Sequence, residues 1–160
     1  MVEVTLRYGI TATDRAAIGR ITASTGFFTD DEVDIAYEVF DDCLRDPKAG
    51  YEFVVALVDG EIAGYASWGH DEQTVASYEL YWIVVDTSVQ AAGIGGKLLK
   101  YVEDAIRRGG PGRQLFVETA GKEQYLPTRK FYERQGYTQA AWLDDYWAPG
   151  DARVIFSKRL

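Results

Sequence analysis

The strongest constraint on the fold is an apolar strand that passes directly into a glycine-rich turn and then into an amphipathic helix. The run "WIVV" at residues 82–85 is continuously apolar, as expected for a strand that is covered on both faces. Glycines follow at Gly93, Gly95 and Gly96, and the apolar spacing beyond them predicts a helix from about Gly93 to Arg108. The run "RQLFVET" at residues 113–119 predicts another strand. This order of strand, helix and strand predicts one parallel pair of strands.

The other segments predict a largely antiparallel sheet with helices beside it. Residues 2–8 alternate as a strand, a helix is expected to begin near Thr13, and the capping box "TDDE" at 29–32 predicts a helix to about Arg45. Asp59-Gly60 is a strong hairpin signal between two strands. A short helix over "PTRKFYERQ" and two closing strands complete a mixed α/β (α+β) fold, which we expect to form a single domain over residues 1–160.

Composition argues against several classes of partner. The formal net charge of -8 makes nucleic acid an unexpected partner, because binding to phosphates needs a basic face, and it suits a cationic small molecule better. No apolar run approaches the ~20 residues that a membrane helix needs, and we expect no cleaved leader. The single Cys43 predicts a protein without an internal disulfide, as is usual in the cytoplasm, and the lone His70 makes a metal site unexpected.

The glycine segment has two readings. The first turn of a helix presents unpaired N–H groups and a partial positive charge, and an anion can approach them closely where side chains are absent at Gly93 and Gly95. Lys97 adds a positive charge in the same turn. The same glycines also suit a flexible turn whose small residues allow close packing. The spacing matches neither the Walker loop nor the dinucleotide fingerprint, so neither ATP nor NAD is indicated.

Two further motifs connect this segment to a known family. "QAAGIG" at residues 90–95 resembles the Q/R-x-x-G-x-G/A signature of the GNAT family of N-acetyltransferases, and it follows an apolar strand and opens a helix. Downstream, "FYERQGY" at 131–137 is similar to the FYxxxGF segment of that family. The resemblance extends from about Tyr51 to the end of the chain, whereas the residues before it agree only in the order of their elements.

The resemblance implies acetyl-CoA as co-substrate, held in a V-shaped gap between the two parallel strands. Its pantetheine arm is expected to pair with the backbone of three residues, Ile83, Val84 and Val85. Its pyrophosphate is expected on the glycine segment, which comprises Gln90, Ala91, Ala92, Gly93, Ile94, Gly95, Gly96 and Lys97. The chain departs from the family where Tyr125 and Thr128 replace a common Asn and Ala, and where Ala92 replaces a frequent Arg or Lys. At Ala92 the corresponding phosphate contact is expected to be weakened or moved.

Two residues are candidates for catalysis. Tyr132, in the FY motif, is the expected acid that protonates the departing CoA sulfur, and its alternative is a packing role. Glu79 is the expected base, since alternation places it on one face of its strand with Tyr81, Ile83 and Val85. The alternative for Glu79 is a solvated acid at the start of a strand. His70 is a rival base, for which an exposed structural role is favoured.

The acceptor is less readable from the sequence. "LDDYWAPGDAR" is interpreted as the loop between the last two strands, where Asp144, Asp145 and Asp151 and two aromatic rings would hold an ammonium group or simply be solvated. We expect an N-acetyltransferase that acts on a primary amine of a small molecule or peptide. The alternative is an acyl-CoA-binding sensor or interaction module with little catalysis. The sequence leaves the oligomeric state open, a homodimer included.

Overall fold

A computed structural model of the protein describes residues 2–89 and 93–160. Four α-helices are formed by the described residues: α1 (Arg15–Ser24), α2 (Asp30–Arg45), α3 (Ile94–Arg107) and α4 (Leu126–Arg134). The strands are β1 (Val4–Tyr8), β2 (Glu52–Val58), β3 (Glu61–His70), β4 (Ser77–Val85), β5 (Gln114–Ala120), β6 (Thr138–Ala148) and β7 (Asp151–Arg159). Short 3-10 turns precede α1 and α4.

The described strands form a seven-stranded sheet in the order β1-β2-β3-β4-β5-β7-β6. β4 and β5 are parallel, from Ser77 opposite Gln114 to Leu80 opposite Val117. The pairs β1–β2, β2–β3, β5–β7 and β6–β7 are antiparallel. The predicted fold class is therefore confirmed: a mixed, mostly antiparallel sheet with one parallel pair and flanking helices.

Helix α2 shows how closely local sequence determines an element. The amide of Glu32 donates to Thr29 Oγ1 and the amide of Thr29 donates to Glu32 Oε2, both at 3.2 Å, which is the predicted capping box. Acidic residues fill the first turn and Arg45 lies in the last, so both ends match the helix dipole. The helix therefore begins and ends where the sequence predicts.

The chain divides into two compact units, and β4 contributes to both. The first unit comprises residues up to 69 together with 81–105. In its core, α1 and α2 pack against β2 and β3 through Ile18, Ile21, Phe40 and Phe53. The hydroxyls of Thr22 and Tyr65 share a buried hydrogen bond of 2.7 Å, which satisfies both groups away from water.

Helix α3 is fixed within this first unit by close packing on β3. Leu98, Leu99 and Val102 of α3 are fully buried. A Cβ added at Gly64 of β3 would lie 2.9 Å from the carbonyl oxygen of Val84 and 3.1 Å from Cγ2 of Ile94. Gly64 therefore allows the start of α3 to lie directly on the sheet.

The second unit comprises residues 70–80 and 106–160. One face of its sheet is covered, with Leu115, Val117, Val154 and Phe156 fully buried. Helix α4 ends in a Schellman motif, in which the amide of Tyr137 donates to the carbonyl of Tyr132 at 3.0 Å. The rings of these two tyrosines lie 5.9 Å apart, which fixes the end of α4.

The residues between the last two predicted strands, which the sequence suggests as a loop, lie mostly within strands. β6 continues through the acidic residues to Ala148, and the turn occupies only Pro149 and Gly150. The register with β7 shifts between Leu143 and Ala148, and Asp145 has a positive φ of 54°. β6 pairs with β7 on both sides of this irregularity, at Leu143 opposite Arg153 and at Ala148 opposite Asp151, so the polar residues between them lie in a bulge of the strand.

None of the helices in the described residues is long and apolar enough to cross a membrane. Within the described ranges, no group of three or more His, Cys, Asp or Glu residues is placed to hold a metal ion.

Candidate functional site

The start of α3 has the features of an anion site in its described part. Gly93 immediately precedes the helix with φ of +64°, and its carbonyl accepts from the amide of Lys97 at 3.0 Å. A Cβ added at Gly93 would meet no atom of the described residues within 4 Å, so the space beside it is open on their side. The amides of Ile94, Gly95 and Gly96 belong to a first turn that has no intrahelical partners for them. Together with the exposed Lys97, these residues fit a phosphate group.

The predicted contacts at Gln90, Ala91 and Ala92 lie outside the described residues. The predicted backbone contacts at Ile83, Val84 and Val85 lie in the last part of β4. Val84 is buried in the core of the first unit, whereas Ile83 and Val85 are half-buried. The parallel ladder of β4 ends at Leu80, and β4 itself continues to Val85.

Asp86 organises the turn that leads from β4 toward the glycine segment. Its carboxylate accepts from the amide of Ser88 at 2.9 Å and from the hydroxyl of Ser88 at 2.8 Å. Arg20 of α1 donates to it at 3.3 Å, and the Asp86 amide donates to the carbonyl of Ala63 at 2.8 Å. The bond from the Ser88 amide is the largest of the interactions that lower the pKa of Asp86, which keeps the carboxylate ionised. The sequence analysis missed this residue, although its Asp-x-Ser spacing is typical of a turn.

In the second unit, Glu79 lies on β4 opposite Phe116 of β5, at an exposed position. Partial burial of its carboxyl raises its pKa, and the neighbouring charges of Glu118 and Asp71 raise it further, whereas Arg153 lowers it. A carboxylate with raised proton affinity is better suited to accept a proton at neutral pH than an ordinary glutamate.

The charges beside Glu79 belong to a set of contacts that the sequence analysis missed. Arg153 of β7 donates to Glu118 of β5 through Nη2. It also donates to the hydroxyl of Tyr146 at 3.1 Å, and its guanidinium carbon lies 4.9 Å from the centre of that ring. These residues meet only through the pairing of β5, β7 and β6, so no local sequence signal indicates them.

Tyr132 lies in the buried layer between α4 and the sheet of the second unit. Tyr132 is 3% exposed, and its ring lies 5.9 Å from the rings of Tyr137 and of Phe156. Burial alone raises its pKa, so the hydroxyl holds its proton throughout the physiological range. These contacts give Tyr132 the packing role that was its alternative, and they are also compatible with a proton donor.

His70 is not the exposed residue that the sequence suggested. It is half-buried at the end of β3, with its ring centre 5.1 Å from that of Tyr78. Its Nε2 is buried and has no hydrogen-bond partner among the described residues. Tyr78 in turn accepts from Arg113 Nε at 3.2 Å.

The acids of the last hairpin have local structural partners. Asp144 accepts from the indole N–H of Trp142 at 2.9 Å, and Asp145 accepts from the amide of Gly150 at 2.7 Å. Asp151 has one carboxylate oxygen that is buried without a partner among the described residues. The rings of Tyr146 and Trp147 are half exposed and contact each other edge to face at 4.9 Å. Asp144 and Asp145 therefore stabilise the hairpin, whatever they contribute to a ligand.

Comparisons with known proteins identify the family and the fold of the chain. Residues 49–139 match a family model described as the acetyltransferase (GNAT) domain. None of the curated proteins resembles the chain closely in sequence. A structure from Desulfovibrio desulfuricans that is assigned to the GNAT acetyltransferases is 40% identical, with a TM-score of 0.94 over 98% of this chain and 99% of that chain.

Two more distant structures share the fold. The ribosomal-protein-alanine N-acetyltransferase from Brucella melitensis is 19% identical, with a TM-score of 0.75 over 98% of this chain and 99% of that chain. A Salmonella typhimurium protein described as an acetyltransferase, solved with its cofactor acetyl-CoA, is 21% identical. Its TM-score is 0.75 over 99% of this chain and 94% of that chain.

Proposed function

The chain belongs to the GNAT family of acetyltransferases, and on this premise we propose that it transfers the acetyl group of acetyl-CoA to a primary amine. The amine would belong to a small molecule or a peptide and would attack directly while both substrates are bound. The observation that carries the proposal is Glu79, a carboxylate on an exposed strand position whose pKa is raised by burial and by neighbouring acids.

The residues proposed to hold acetyl-CoA lie in the first unit. The open space beside Gly93, the first-turn amides of α3 and Lys97 support a pyrophosphate site there. Asp86 supports it indirectly, because its hydrogen bonds to Ser88 fix the turn that precedes the segment. Gln90, Ala91 and Ala92 complete the proposed segment by sequence. Ile83, Val84 and Val85 are proposed to pair with the pantetheine arm, since β4 runs on beyond its ladder with β5.

Glu79 is proposed to take the proton that the incoming amine must lose. A primary amine is mostly protonated at neutral pH, so a proton has to leave before or during the attack. The negative charges of Glu118 and Asp71 act on the carboxylate of Glu79 and favour its uptake of that proton. Bound acetyl-CoA supplies the thioester that makes the acetyl group transferable.

Tyr132 is proposed to give a proton to the departing sulfur. The support is its position in the FY motif together with a hydroxyl that stays protonated because it is buried. A thiolate is a good leaving group without help, so the expected contribution is at the low end of general acid catalysis, ~10².

The acceptor is proposed to be cationic. Among the charged groups that act on Glu79, the acids Glu118 and Asp71 outnumber the one cation, Arg153, and the exposed rings of Tyr146 and Trp147 can also contact an ammonium group. The Brucella relative is named for an amine acceptor, the alanine of a ribosomal protein. A single domain over residues 1–160 and a cytoplasmic location complete the proposal.

The test is a screen of amines, amino acids, polyamines, aminoglycosides and peptides with acetyl-CoA, followed by release of the CoA thiol and by mass spectrometry of the product. The expected result is at least one amine that gains an acetyl group on nitrogen. With that amine, kcat/KM is then measured against pH for the parent and for Glu79→Gln. The variant should lose ~10² or more at neutral pH, and the loss should shrink as pH rises. Profiles that superimpose would remove Glu79 from the mechanism, and acetyl-CoA binding without turnover of any amine would favour a sensor module.

A further inference from the structure

A second carboxylate lies close to Glu79 because of the strand register in the second unit. Glu79 of β4 is opposite Phe116 of β5, and Glu118 lies two residues further along β5 on the same face. From the rise along a strand and the spacing between strands, the two Cα atoms are roughly 8 Å apart. Both residues are exposed, so their charges act on the same open face of the sheet.

Arg153 holds Glu118 from the neighbouring strand. Glu118 is opposite Ile155 of β7, and Arg153 lies two residues along β7, opposite Ala120. The guanidinium of Arg153 donates to Glu118, and only 26% of the Arg153 side chain is exposed. Tyr146 fixes the guanidinium from β6 with a hydrogen bond of 3.1 Å and with its ring. Three strands thus orient one ion pair, whereas most surface ion pairs are loosely held.

This ion pair has a direct electrostatic consequence for Glu79. The charged groups that act on Glu79 are Glu118 from β5, Asp71 from the segment between β3 and β4, and Arg153 from β7. Glu118 and Asp71 disfavour a negative charge on Glu79, and Arg153 favours it. Burial is the largest cause that raises the pKa of Glu79, and the orientation of Arg153 toward Glu118 and Tyr146 adjusts the part that comes from neighbouring charges.

We propose that Glu118, Arg153 and Tyr146 form a positioning group that sets the basicity of Glu79 for proton transfer from the acceptor amine. Arg153 holds the Glu118 carboxylate in place beside Glu79, and Tyr146 keeps Arg153 directed at Glu118. None of the three accepts the proton itself. This inference rests on the proposed role of Glu79 as base.

The two charged members should act in opposite directions. Glu118→Gln removes a negative charge, so Glu79 ionises at lower pH and the acidic limb of the kcat/KM profile moves to lower pH. Arg153→Gln removes a positive charge, so Glu79 ionises at higher pH and the limb moves to higher pH. One unit charge at roughly 8 Å in a solvent-like dielectric corresponds to a change of about two- to threefold in activity on that limb, relative to the plateau.

The experiment measures kcat/KM against pH for the parent, Glu118→Gln, Arg153→Gln and the double variant. Glu123→Gln and Lys130→Gln are charge-matched controls at exposed positions of the same unit, and their limbs should not move. A second readout is the carboxyl resonance of Glu79 in protein labelled with carbon-13 at glutamate, assigned by its absence in Glu79→Gln. This readout needs no acceptor.

Opposite displacements in the two single variants, with near cancellation in the double variant, are the expected result. Limbs that stay in place, or that move in the same direction in both variants, would overturn the inference and leave the ion pair a structural role. If Glu79→Gln retains the acidic limb, the proposed base itself is wrong. If Glu79→Gln loses the acidic limb, but Glu118→Gln and Arg153→Gln leave the limb where it lies in the parent, only this inference fails.

Discussion

Replacement of Gly93 by alanine separates two reasons for a glycine at the start of α3. Gly93 has φ of +64°, a conformation that costs an L-residue about 1–2 kcal/mol. The added Cβ would meet no atom within 4 Å in the part of the chain that the structure describes, so no steric clash with those residues adds to that strain. For a chain of this length the strain should lower Tm by about 2–8 °C.

A loss of acetyl-CoA affinity in Gly93→Ala, beyond this loss of stability, must arise from contact between the new methyl group and the bound ligand. At about 100 times its Kd, acetyl-CoA stabilises the parent by ~2.7 kcal/mol. If the new methyl group occupies space that the pyrophosphate needs, we expect Kd to rise about tenfold or more, which lowers this stabilisation to ~1.4 kcal/mol at the same concentration. The ligand-induced rise in Tm should then fall by about half. The assay is thermal unfolding with and without acetyl-CoA, with titration calorimetry for Kd.

Gly150 provides the matched control. It has φ of +79° in the turn between β6 and β7, and an added Cβ there also meets nothing within 4 Å. Gly150→Ala should therefore lose a similar amount of stability and keep the full acetyl-CoA shift. Equal ligand shifts in Gly93→Ala and Gly150→Ala would refute the assignment of the glycine segment to the pyrophosphate.

Three other changes test separate parts of the account. Asp86→Asn should weaken the binding of acetyl-CoA more than that of acetyl-pantetheine, which lacks the pyrophosphate. An equal loss of affinity for both would show that Asp86 does not support the pyrophosphate site. Because the pKa of Asp86 is lowered in the folded protein, its contribution to stability should be present at neutral pH and disappear as pH falls below about 4, so urea unfolding of the parent and Asp86→Asn should converge in acid. Tyr132→Phe should lower kcat by ~10² with little change in the Kd of acetyl-CoA, whereas activity within twofold of the parent would assign Tyr132 to packing. Leu98→Ala, in the fully buried face of α3, should lower the free energy of unfolding by about 2–5 kcal/mol in urea, and a smaller loss would mean that α3 is not packed as described.

Local signals predict several helices and turns of the fold, including the helix that follows Gly93. The capping residues Thr29 and Glu32 and the dipeptide Asp59-Gly60 act through bonds within a few residues, so their sequence determines their structure. The predicted helix after Gly93 is confirmed as α3. Its apolar residues recur at helical spacing, which is also a signal within the segment itself.

Features that depend on strand pairing were not predictable in the same way. β6 runs through Asp144 and Asp145 because the strand pairs with β7 on either side of them, at Leu143 and Ala148, although these residues favour loops when taken alone. The contact of Arg153 with Glu118 joins positions 35 residues apart and follows from the register of β5 and β7. The alternation of β4 places Glu79 on one face of its strand, but the charges that act on it lie on other elements.

The central claim is that this chain moves an acetyl group from sulfur to nitrogen. The most direct measurement follows acetyl-CoA labelled with carbon-13 in its acetyl carbonyl, incubated with the protein and an amine chosen from the screen. The account predicts that the thioester resonance is replaced by an amide resonance, with one equivalent of free CoA thiol for each amide and with strong loss of rate in Glu79→Gln. A thioester signal that persists with every amine, or that is converted to acetate instead of amide, would contradict it.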